Sequence, residues 1–239
     1  MSVNISGSKL PIEELHFSFI TNKLRTEYGF LESSRVNVPV NNKNEIMPMY
    51  TYPCYEWLNS IDWTNSKVFE YGTGYSTLWW QSKKTHYHGV ESNKQWYDSI
   101  EDKTNIKYEP KHRRYIEYIY DYDYKFDVIV IDGVVRFDCI KPALEKVKDD
   151  GMIIYDNSDW HKNSKEELDK SDLIPIHFHG FKPIHVDSET TSCYINRKFN
   201  KKAKSIIPMA GTIREQHKTD KSILHEEKKC IRVKDFMSC

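Results

Sequence analysis

The stretch KVFEYGTGYSTLWW, residues 67–80, decides how this sequence is interpreted. It begins with β-prone residues and ends with residues that suit a helix, and two glycines lie between them. The pattern predicts a strand that ends near Tyr71, a tight turn, and a helix that begins near Ser76. In an open parallel sheet, the turn after such a strand is where ligands bind. The feature that needs an explanation is Glu70, a carboxylate two residues before the first glycine.

The same order of strand, turn and helix repeats along the chain. Apolar strands are expected at residues 68–71, 85–91, 105–109, 126–132 and 151–157. Strands that are apolar on both faces and separated by helix-length segments indicate a parallel sheet covered on both sides. We expect Pro142, within the helical segment before the last of these strands, to confine the regular helix to the residues that follow it.

Two later strand-like segments break this rhythm. Residues 171–181 and 190–199 have only a loop between them, so we expect the two strands to pair antiparallel. The predicted fold class is therefore α/β and Rossmann-like. It has a mostly parallel sheet that ends in an antiparallel strand pair, with helices on both faces.

Composition limits the class of protein. A chain of 239 residues with 38% hydrophobic content can bury one substantial core. The formal net charge is zero, so no global field favours nucleic acid or membrane as a partner. The five cysteines are scattered without a CxxC pair and are expected to be reduced thiols. Neither a secretory leader nor a membrane span is recognised, so we expect a cytoplasmic protein without a membrane partner.

The chain is expected to have three parts. Residues 1–50 form an N-terminal lead or lid segment, residues 51–199 form the main domain, and residues 200–239 form a basic C-terminal extension. Lys and Arg outnumber Asp and Glu in this extension. The extension is either a solvated tail or an arm that binds a polyanion. The sequence does not indicate an oligomeric state.

The glycine turn narrows the choice of ligand. A dinucleotide-binding turn has a third glycine where Thr77 stands, and a carboxylate at Glu70 would lie near a negatively charged pyrophosphate. A cofactor with a cationic amino-acid end and no phosphate suits this acid better, and S-adenosylmethionine fits that description. Glu91 ends the second strand, where a carboxylate can accept the hydroxyls of a ribose.

Over residues 48–197 the sequence resembles the class I S-adenosylmethionine-dependent methyltransferases. The fragments FEYGTGYST, GVE, FDVIVIDG and GMIIYDN carry this resemblance by their order and spacing, together with the closing strand pair. The resemblance implies a methyltransferase. It also implies that Glu70, Gly72, Gly74 and Glu91 hold the cofactor. Their neighbours in the predicted site, which we expect to complete it, are Tyr71, Ser76, Ser92 and Asp132.

A more distant resemblance is to the metal-dependent O-methyltransferases of the catechol and sugar type. It implies that Asp132, Asp156 and Asn157 hold Mg²⁺, an ion that prefers oxygen ligands. A turn and helix cap after the fifth strand is the alternative explanation of Asp156 and Asn157. The sequence departs from the catechol pattern because Val135 stands where that pattern has a lysine.

The candidate catalytic residues are therefore Asp132, His161 and Arg136. Asp132, Asp159 and His161 each remain candidates for the general base, although His161 could be an ordinary surface histidine in a loop. Arg136 could bind an acidic group of the acceptor or pair with a surface carboxylate.

The expected function is O-methylation of a sugar or other hydroxylated small molecule, assisted by Mg²⁺. The expected partner is thus a small-molecule or glycan acceptor. One alternative is an RNA or cap methyltransferase that uses the basic extension as a grip, although nucleic acid is not favoured. A second alternative is a catalytically silent fold that serves as a binding module.

Overall fold

The structure is a computed structural model that describes residues 2–5, 8–100 and 102–204. The strands are β1 (Ser2–Ile5), β2 (Ser8–Pro11), β3 (Lys67–Tyr71), β4 (His86–Glu91), β5 (Ile106–Tyr108), β6 (Phe126–Ile131), β7 (Val147–Tyr155), β8 (Ile174–Gly180) and β9 (Glu189–Ile195). The α-helices are α1 (Ile12–Asn22), α2 (Phe30–Val36), α3 (Tyr52–Asn59), α4 (Tyr75–Ser82), α5 (Lys94–Ser99), α6 (His112–Glu117), α7 (Arg136–Lys146) and α8 (Lys162–Asp169). A π-helical turn, Lys23–Glu27, continues α1, and a 3₁₀ turn, Tyr118–Asp121, continues α6.

One seven-stranded sheet organises the domain, in the order β5-β4-β3-β6-β7-β9-β8. The strands from β5 to β7 run parallel to one another, and β9 pairs antiparallel with both β7 and β8. The predicted fold class is therefore confirmed, including the antiparallel pair at the end. In the lead segment, β1 and β2 form a separate antiparallel pair.

The strands bury both of their faces. Along β6, Val128 and Val130 belong to one buried cluster, whereas Ile129 and Ile131 belong to another. The alternation arises because successive side chains of a strand point to opposite faces. The first cluster includes residues of α3 and α4, and the second includes residues of α6, α7 and α8. Helices therefore cover both sides of the sheet, as the apolar strands predicted.

Some local predictions were wrong. Helix α7 begins at Arg136 and contains Pro142 in its interior, so the proline does not confine the helix to the residues after it. Pro142 removes one backbone donor, but Cys139, Ile140 and Ala143 pack α7 against the sheet on both sides of it. Helices α2 and α8 also form in segments where no helix was predicted.

Other predictions concern the thiols, the membrane and the C-terminal extension. Cys54, Cys139 and Cys193 are buried free thiols, in agreement with the expected reduced state. Within the described ranges, no helix has both the length and the apolar character needed to span a bilayer. Of the predicted basic extension, residues 200–204 are described, and residues 205–239 lie outside the described residues.

Candidate active site

The candidate site lies at the carboxyl edge of the parallel strands. The register places Tyr71 beside Val90 and Ile131, and Ile131 beside Tyr155. The residues that follow these positions therefore meet at one edge: Gly72, Glu91, Asp132 and Asp156. Backbone hydrogen bonds extend the pairing past the strand ends, from Gly72 N–H to Val90 O (2.9 Å) and from Asp132 N–H to Tyr71 O (2.9 Å).

The two glycines of the turn have different roles. Gly72 has a φ of 84°, and a Cβ at this position would lie 2.3 Å from the Cα of Gly133. Gly72 therefore lets two strand ends come close together and keeps a left-handed conformation. Gly74 has an extended backbone, and no atom lies within 4 Å of the position that its Cβ would take. A side chain at position 74 would therefore enter open space beside the turn.

Glu70 lies beneath the turn and is fully buried. Its carboxylate accepts hydrogen bonds from the hydroxyls of Ser76 (2.5 Å), Thr77 (2.7 Å) and Tyr87. The Thr77 hydroxyl also accepts a hydrogen bond from the Gly74 N–H (2.9 Å). Thr77, which stands where a dinucleotide fold has its third glycine, thus connects the turn to the buried acid. Burial raises the pKa of Glu70 to about 7, although the three hydroxyls oppose this shift.

A cavity of about 340 Å³ lies above the turn. Its walls are formed by Met49, Gly72, Thr73, Gly74, Tyr75, Ser76, Glu91, Asn93, Trp96, Asp132, Gly133 and Val134. Five of the predicted cofactor residues are in this wall, namely Gly72, Gly74, Ser76, Glu91 and Asp132. Glu70, Tyr71 and Ser92 are not, and the Tyr71 hydroxyl points away to donate to the carbonyl oxygen of Ile116 (2.8 Å).

Glu91 is held in a defined orientation at the cavity wall. One carboxylate oxygen accepts from the Thr73 N–H (2.8 Å) and the other from the Asn93 N–H (2.6 Å). Asn93 also caps α5, because its side-chain oxygen accepts from the N–H groups of Gln95 and Trp96. The Thr73 hydroxyl also donates to the first oxygen (3.3 Å). Three donors are therefore in place, and the second oxygen keeps a lone pair for a further hydroxyl donor.

Arg136 ties together the ends of β6 and β7. Its guanidinium donates to the carbonyl oxygens of Gly133 (2.9 Å), Asp132 (2.9 Å) and Asp156 (2.6 Å). It also donates to the side-chain oxygens of Asp132 (3.0 Å) and Asn157 (3.3 Å). These bonds engage all five N–H groups of the guanidinium. Arg136 therefore has no free donor for an acidic acceptor group, and the structure places it as a support for the strand ends.

Asp132 both accepts hydrogen bonds from Arg136 and lines the first cavity. Burial raises its pKa, the nearby Asp156 carboxylate adds to this effect, and Arg136 opposes it. Asp132 is therefore a stronger base than an ordinary aspartate, and it forms part of the wall of the first cavity.

A buried lysine lies among the acids of the neighbouring strand ends. The ammonium of Lys182 is in contact with the Glu189 carboxylate and lies 3.5 Å from Asp156. All three side chains are almost completely buried, and Lys182 is only 4% exposed. Burial lowers the pKa of Lys182, but the two carboxylates outweigh this effect, so the pKa is raised and the lysine stays protonated at neutral pH.

A second cavity, of about 370 Å³, is lined by Phe137, Trp160, His161, Lys162, Asn163 and Ser164. The aromatic side chains are unusually exposed, Trp160 to 61% and Phe137 to 50%. Burial, together with the positive charge of Arg136, lowers the pKa of His161, so its imidazole is neutral at pH 7. His161 is therefore near an open apolar surface, and it is absent from the wall of the first cavity.

The residues of the first cavity fit S-adenosylmethionine. Gly74 leaves room for a ligand against the backbone, and Glu91 offers a carboxylate oxygen for a ribose hydroxyl. Met49 and Trp96 provide apolar surface for a purine ring, and Asp132 provides a carboxyl group for a cationic amino-acid end.

The residues predicted to hold Mg²⁺ do not fit a divalent cation. Asp132 and Asn157 each accept a hydrogen bond from Arg136, and Asp156 is close to Lys182 and accepts from the Thr191 hydroxyl (2.5 Å). Two fixed positive charges would repel a further cation at this position. Among the residues that the structure describes, no group of three or more His, Cys, Asp or Glu side chains is arranged to hold a metal ion.

The sheet order identifies the fold. Five parallel strands are followed by an antiparallel strand that lies between the fifth parallel strand and the edge strand. The chain has the class I methyltransferase fold. No protein-family model matches the chain, and no curated protein matches its sequence.

Several solved methyltransferase structures are similar to the chain. An O-methyltransferase from Bacillus cereus in complex with SAH is 14% identical, with 74% of this chain and 90% of that chain covered and a TM-score of 0.48. The O-methyltransferase TomG from Streptomyces achromogenes, involved in tomaymycin synthesis, is 13% identical, with coverages of 61% and 77% and a TM-score of 0.47. An rRNA methylase from Streptococcus thermophilus is 8% identical, with coverages of 59% and 92% and a TM-score of 0.44. At these identities the likeness extends to the fold alone.

The sequence prediction missed several residues of the site. Lys182 and Glu189 come from the loop between β8 and β9 and from the start of β9, and Met49 comes from the lead segment. The loop at Lys182 could have been located, because an antiparallel β9 beside β7 has to begin at the carboxyl edge of the sheet. The pairing of Lys182 with two acids has no signal in the sequence.

Proposed function

We propose that this chain is an S-adenosylmethionine-dependent O-methyltransferase that acts on a sugar or another hydroxylated small molecule. The observation that carries the proposal is the cavity between the glycine turn, Glu91 and Asp132 at the carboxyl edge of the sheet. In this proposal residues 51–199 form the catalytic domain, and residues 1–50 form a lead that closes one side of the cavity with Met49. Residues 200–239 form a basic extension of the domain.

Each part of the cavity would hold a different part of the cofactor. Glu91 would accept the ribose hydroxyls, and Trp96 and Met49 would contact the purine. Ser76 and Asp132 would lie at the amino-acid end. Glu70 would act indirectly, because its bonds to Ser76 and Thr77 hold the turn in place. When bound, S-adenosylmethionine would supply an electrophilic methyl group on a positively charged sulfur.

The acceptor would lie toward the second cavity. Exposed Phe137 and Trp160 offer flat apolar faces, and Lys162, Asn163 and Ser164 offer polar groups beside them. Rings of sugars and of phenols present both an apolar face and hydroxyls, so they match this combination. This supports a hydroxylated ring compound as the acceptor.

Asp132 is the proposed general base. A hydroxyl oxygen attacks the methyl carbon as the carbon–sulfur bond breaks, and the electron pair of that bond remains on sulfur. The hydroxyl proton has to leave during this step, and Asp132 is at the cavity wall with a raised pKa. Because the base acts in its ionised form, the rate should rise as pH increases through the neutral range.

The test is transfer of a labelled methyl group to panels of sugars, phenols and RNA, with wild type, Asp132→Asn and His161→Gln. We expect transfer to a hydroxylated small molecule, and a loss of about 10² to 10⁴ in rate for Asp132→Asn. Asparagine still accepts the Arg136 hydrogen bond, so this variant should fold. Its rate is compared with that of the wild type at saturating S-adenosylmethionine, because loss of the carboxylate at the amino-acid end also weakens cofactor binding. Transfer only to RNA would contradict the proposed acceptor class. Cofactor binding without transfer to any acceptor would instead favour a catalytically silent fold.

A further inference from the structure

Two acids at the carboxyl edge of the sheet, Asp156 and Glu189, already have a positively charged side chain between them, that of Lys182. The Lys182 ammonium contacts Glu189, lies 3.5 Å from Asp156 and lies 5.8 Å from the centre of the Trp160 ring. Lysine is rarely this deeply buried, and removing an ammonium from water is costly unless carboxylates compensate it. The compensation here comes from two acids that are each 2% exposed.

Other side chains fix these two acids in place. The Thr191 hydroxyl donates to Asp156, and the Asn157 amide and His185 contact Glu189. The oxygens around Lys182 therefore come from two carboxylates, whereas Asn157 donates its N–H to Glu189 and turns its oxygen toward Arg136. Oxygen ligands of this kind are also those that a hard divalent cation selects.

We propose that the Lys182 ammonium takes the place of a divalent cation in this site, so that the protein works without a metal ion. Lys182 would be a positioning residue, because it balances the charge of Asp156 and Glu189 and thereby sets the field at the neighbouring Asp132. The part of this inference that concerns catalysis rests on the proposed methyl transfer. The occupation of the cation site by Lys182 is independent of methyl transfer. It can be measured without cofactor or acceptor.

Replacing Lys182 by a neutral residue should convert the site into a metal site. The Lys182→Ala variant would leave two buried carboxylates uncompensated and would vacate the volume of the ammonium. A small divalent cation could then enter this volume and restore the charge balance. In the wild type the fixed ammonium repels such an ion.

The experiment measures Mn²⁺ binding by the full chain, from the electron paramagnetic resonance signal of free Mn²⁺. We expect Lys182→Ala to bind one Mn²⁺ at least about tenfold more tightly than the wild type. Adding Asp156→Asn to this variant should abolish the gain. Lys148→Ala is the matched control, because Lys148 also pairs with a buried aspartate, Asp127, which keeps Lys201 as a second partner. This control should bind Mn²⁺ no better than the wild type.

Two results would overturn the proposal. One is Mn²⁺ binding by the wild type as tight as that by Lys182→Ala. The other is a folded Lys182→Ala variant without any gain. If alanine prevents folding, as circular dichroism would reveal, Lys182→Ser takes its place, because serine also removes the charge and vacates the volume while its hydroxyl stays polar. S-adenosylhomocysteine binding, measured in parallel on the wild type, keeps a failure of this inference distinct from a failure of the proposed function.

Discussion

At the scale of single residues, Glu70 is held entirely by hydroxyl groups of its own chain. Ser76, Thr77 and Tyr87 donate to it, and the cavity wall is formed by other residues. The sequence suggested a direct role for this acid at the cationic end of a cofactor, and that role stays a prediction. The geometry gives Glu70 a structural task, because the hydroxyls that it holds belong to the first turn of α4 and to β4.

The buried position of Glu70 predicts a pH-dependent stability. The pKa is about 7 in the folded protein and near the ordinary 4.5 after unfolding, so the folded state holds a proton between these values that the unfolded state has lost. The free energy of unfolding should therefore fall as pH rises through this window. Relative to Glu70→Gln, whose amide does not titrate, the wild type should lose about 3 kcal/mol between pH 4.5 and pH 8.

Urea unfolding of both proteins across this pH range measures the difference. The control is Glu117→Gln, since the Glu117 side chain is 45% exposed and pairs with Arg113 at the surface. Its difference from the wild type should stay within about 0.5 kcal/mol at every pH. Parallel curves for the wild type and Glu70→Gln would show that the folded protein does not raise the pKa of this acid.

At the scale of secondary-structure elements, the antiparallel strand β9 completes the site. Its first residue, Glu189, contacts Lys182, and Thr191 contacts the acid that follows β7. Thr191 is fully buried, and its hydroxyl accepts from the Thr51 N–H (3.1 Å) while it donates to Asp156 (2.5 Å). One hydroxyl therefore joins β9 both to the segment that precedes α3 and to the carboxyl edge.

Thr191→Val should be destabilising despite its similar shape. Valine leaves the Thr51 N–H without its acceptor and Asp156 without a donor, which should cost about 1 to 3 kcal/mol in the free energy of unfolding. Thr190→Val is the matched control, because Thr190 is only partly buried and its hydroxyl contacts the exposed His179. Urea denaturation compares the two variants, and equal losses would argue against the proposed role of the Thr191 hydroxyl.

At the scale of the whole molecule, the repeating elements could be predicted from the sequence. Apolar runs such as residues 126–131 mark strands buried on both faces, and the missing helix between residues 181 and 188 marks the antiparallel pair. The order of the strands then places Glu91 and Asp132 at one edge. Periodicity and turn chemistry therefore predict the sheet and the residues at its carboxyl edge, but not the contacts between their side chains.

The rest of the site depends on contacts between residues far apart in the chain. Whether Arg136 binds a ligand or supports the strand ends depends on five acceptors that only the folded chain brings together. The role of Lys182 also depends on contacts that form only in the folded chain, because a lysine in a polar loop is normally exposed to solvent. The magnesium prediction came from the resemblance of Asp132, Asp156 and Asn157 to a metal-binding pattern. Arg136 and Lys182 are the reason why these residues do not fit a metal ion.

The cavity above the glycine turn is proposed to bind the cofactor. Calorimetric titration with S-adenosylhomocysteine tests it, using the wild type, Glu91→Ala and Gly74→Asp. Gly74→Asp places a charged side chain into open space without a clash in the protein, so its fold should be unchanged while binding is lost.

We predict stoichiometric binding by the wild type. Glu91→Ala should weaken it by about 10- to 100-fold, because the bonds to the ribose hydroxyls are removed. The absence of binding by the folded wild type, or equal affinities for all three proteins, would show that this cavity is not the cofactor site.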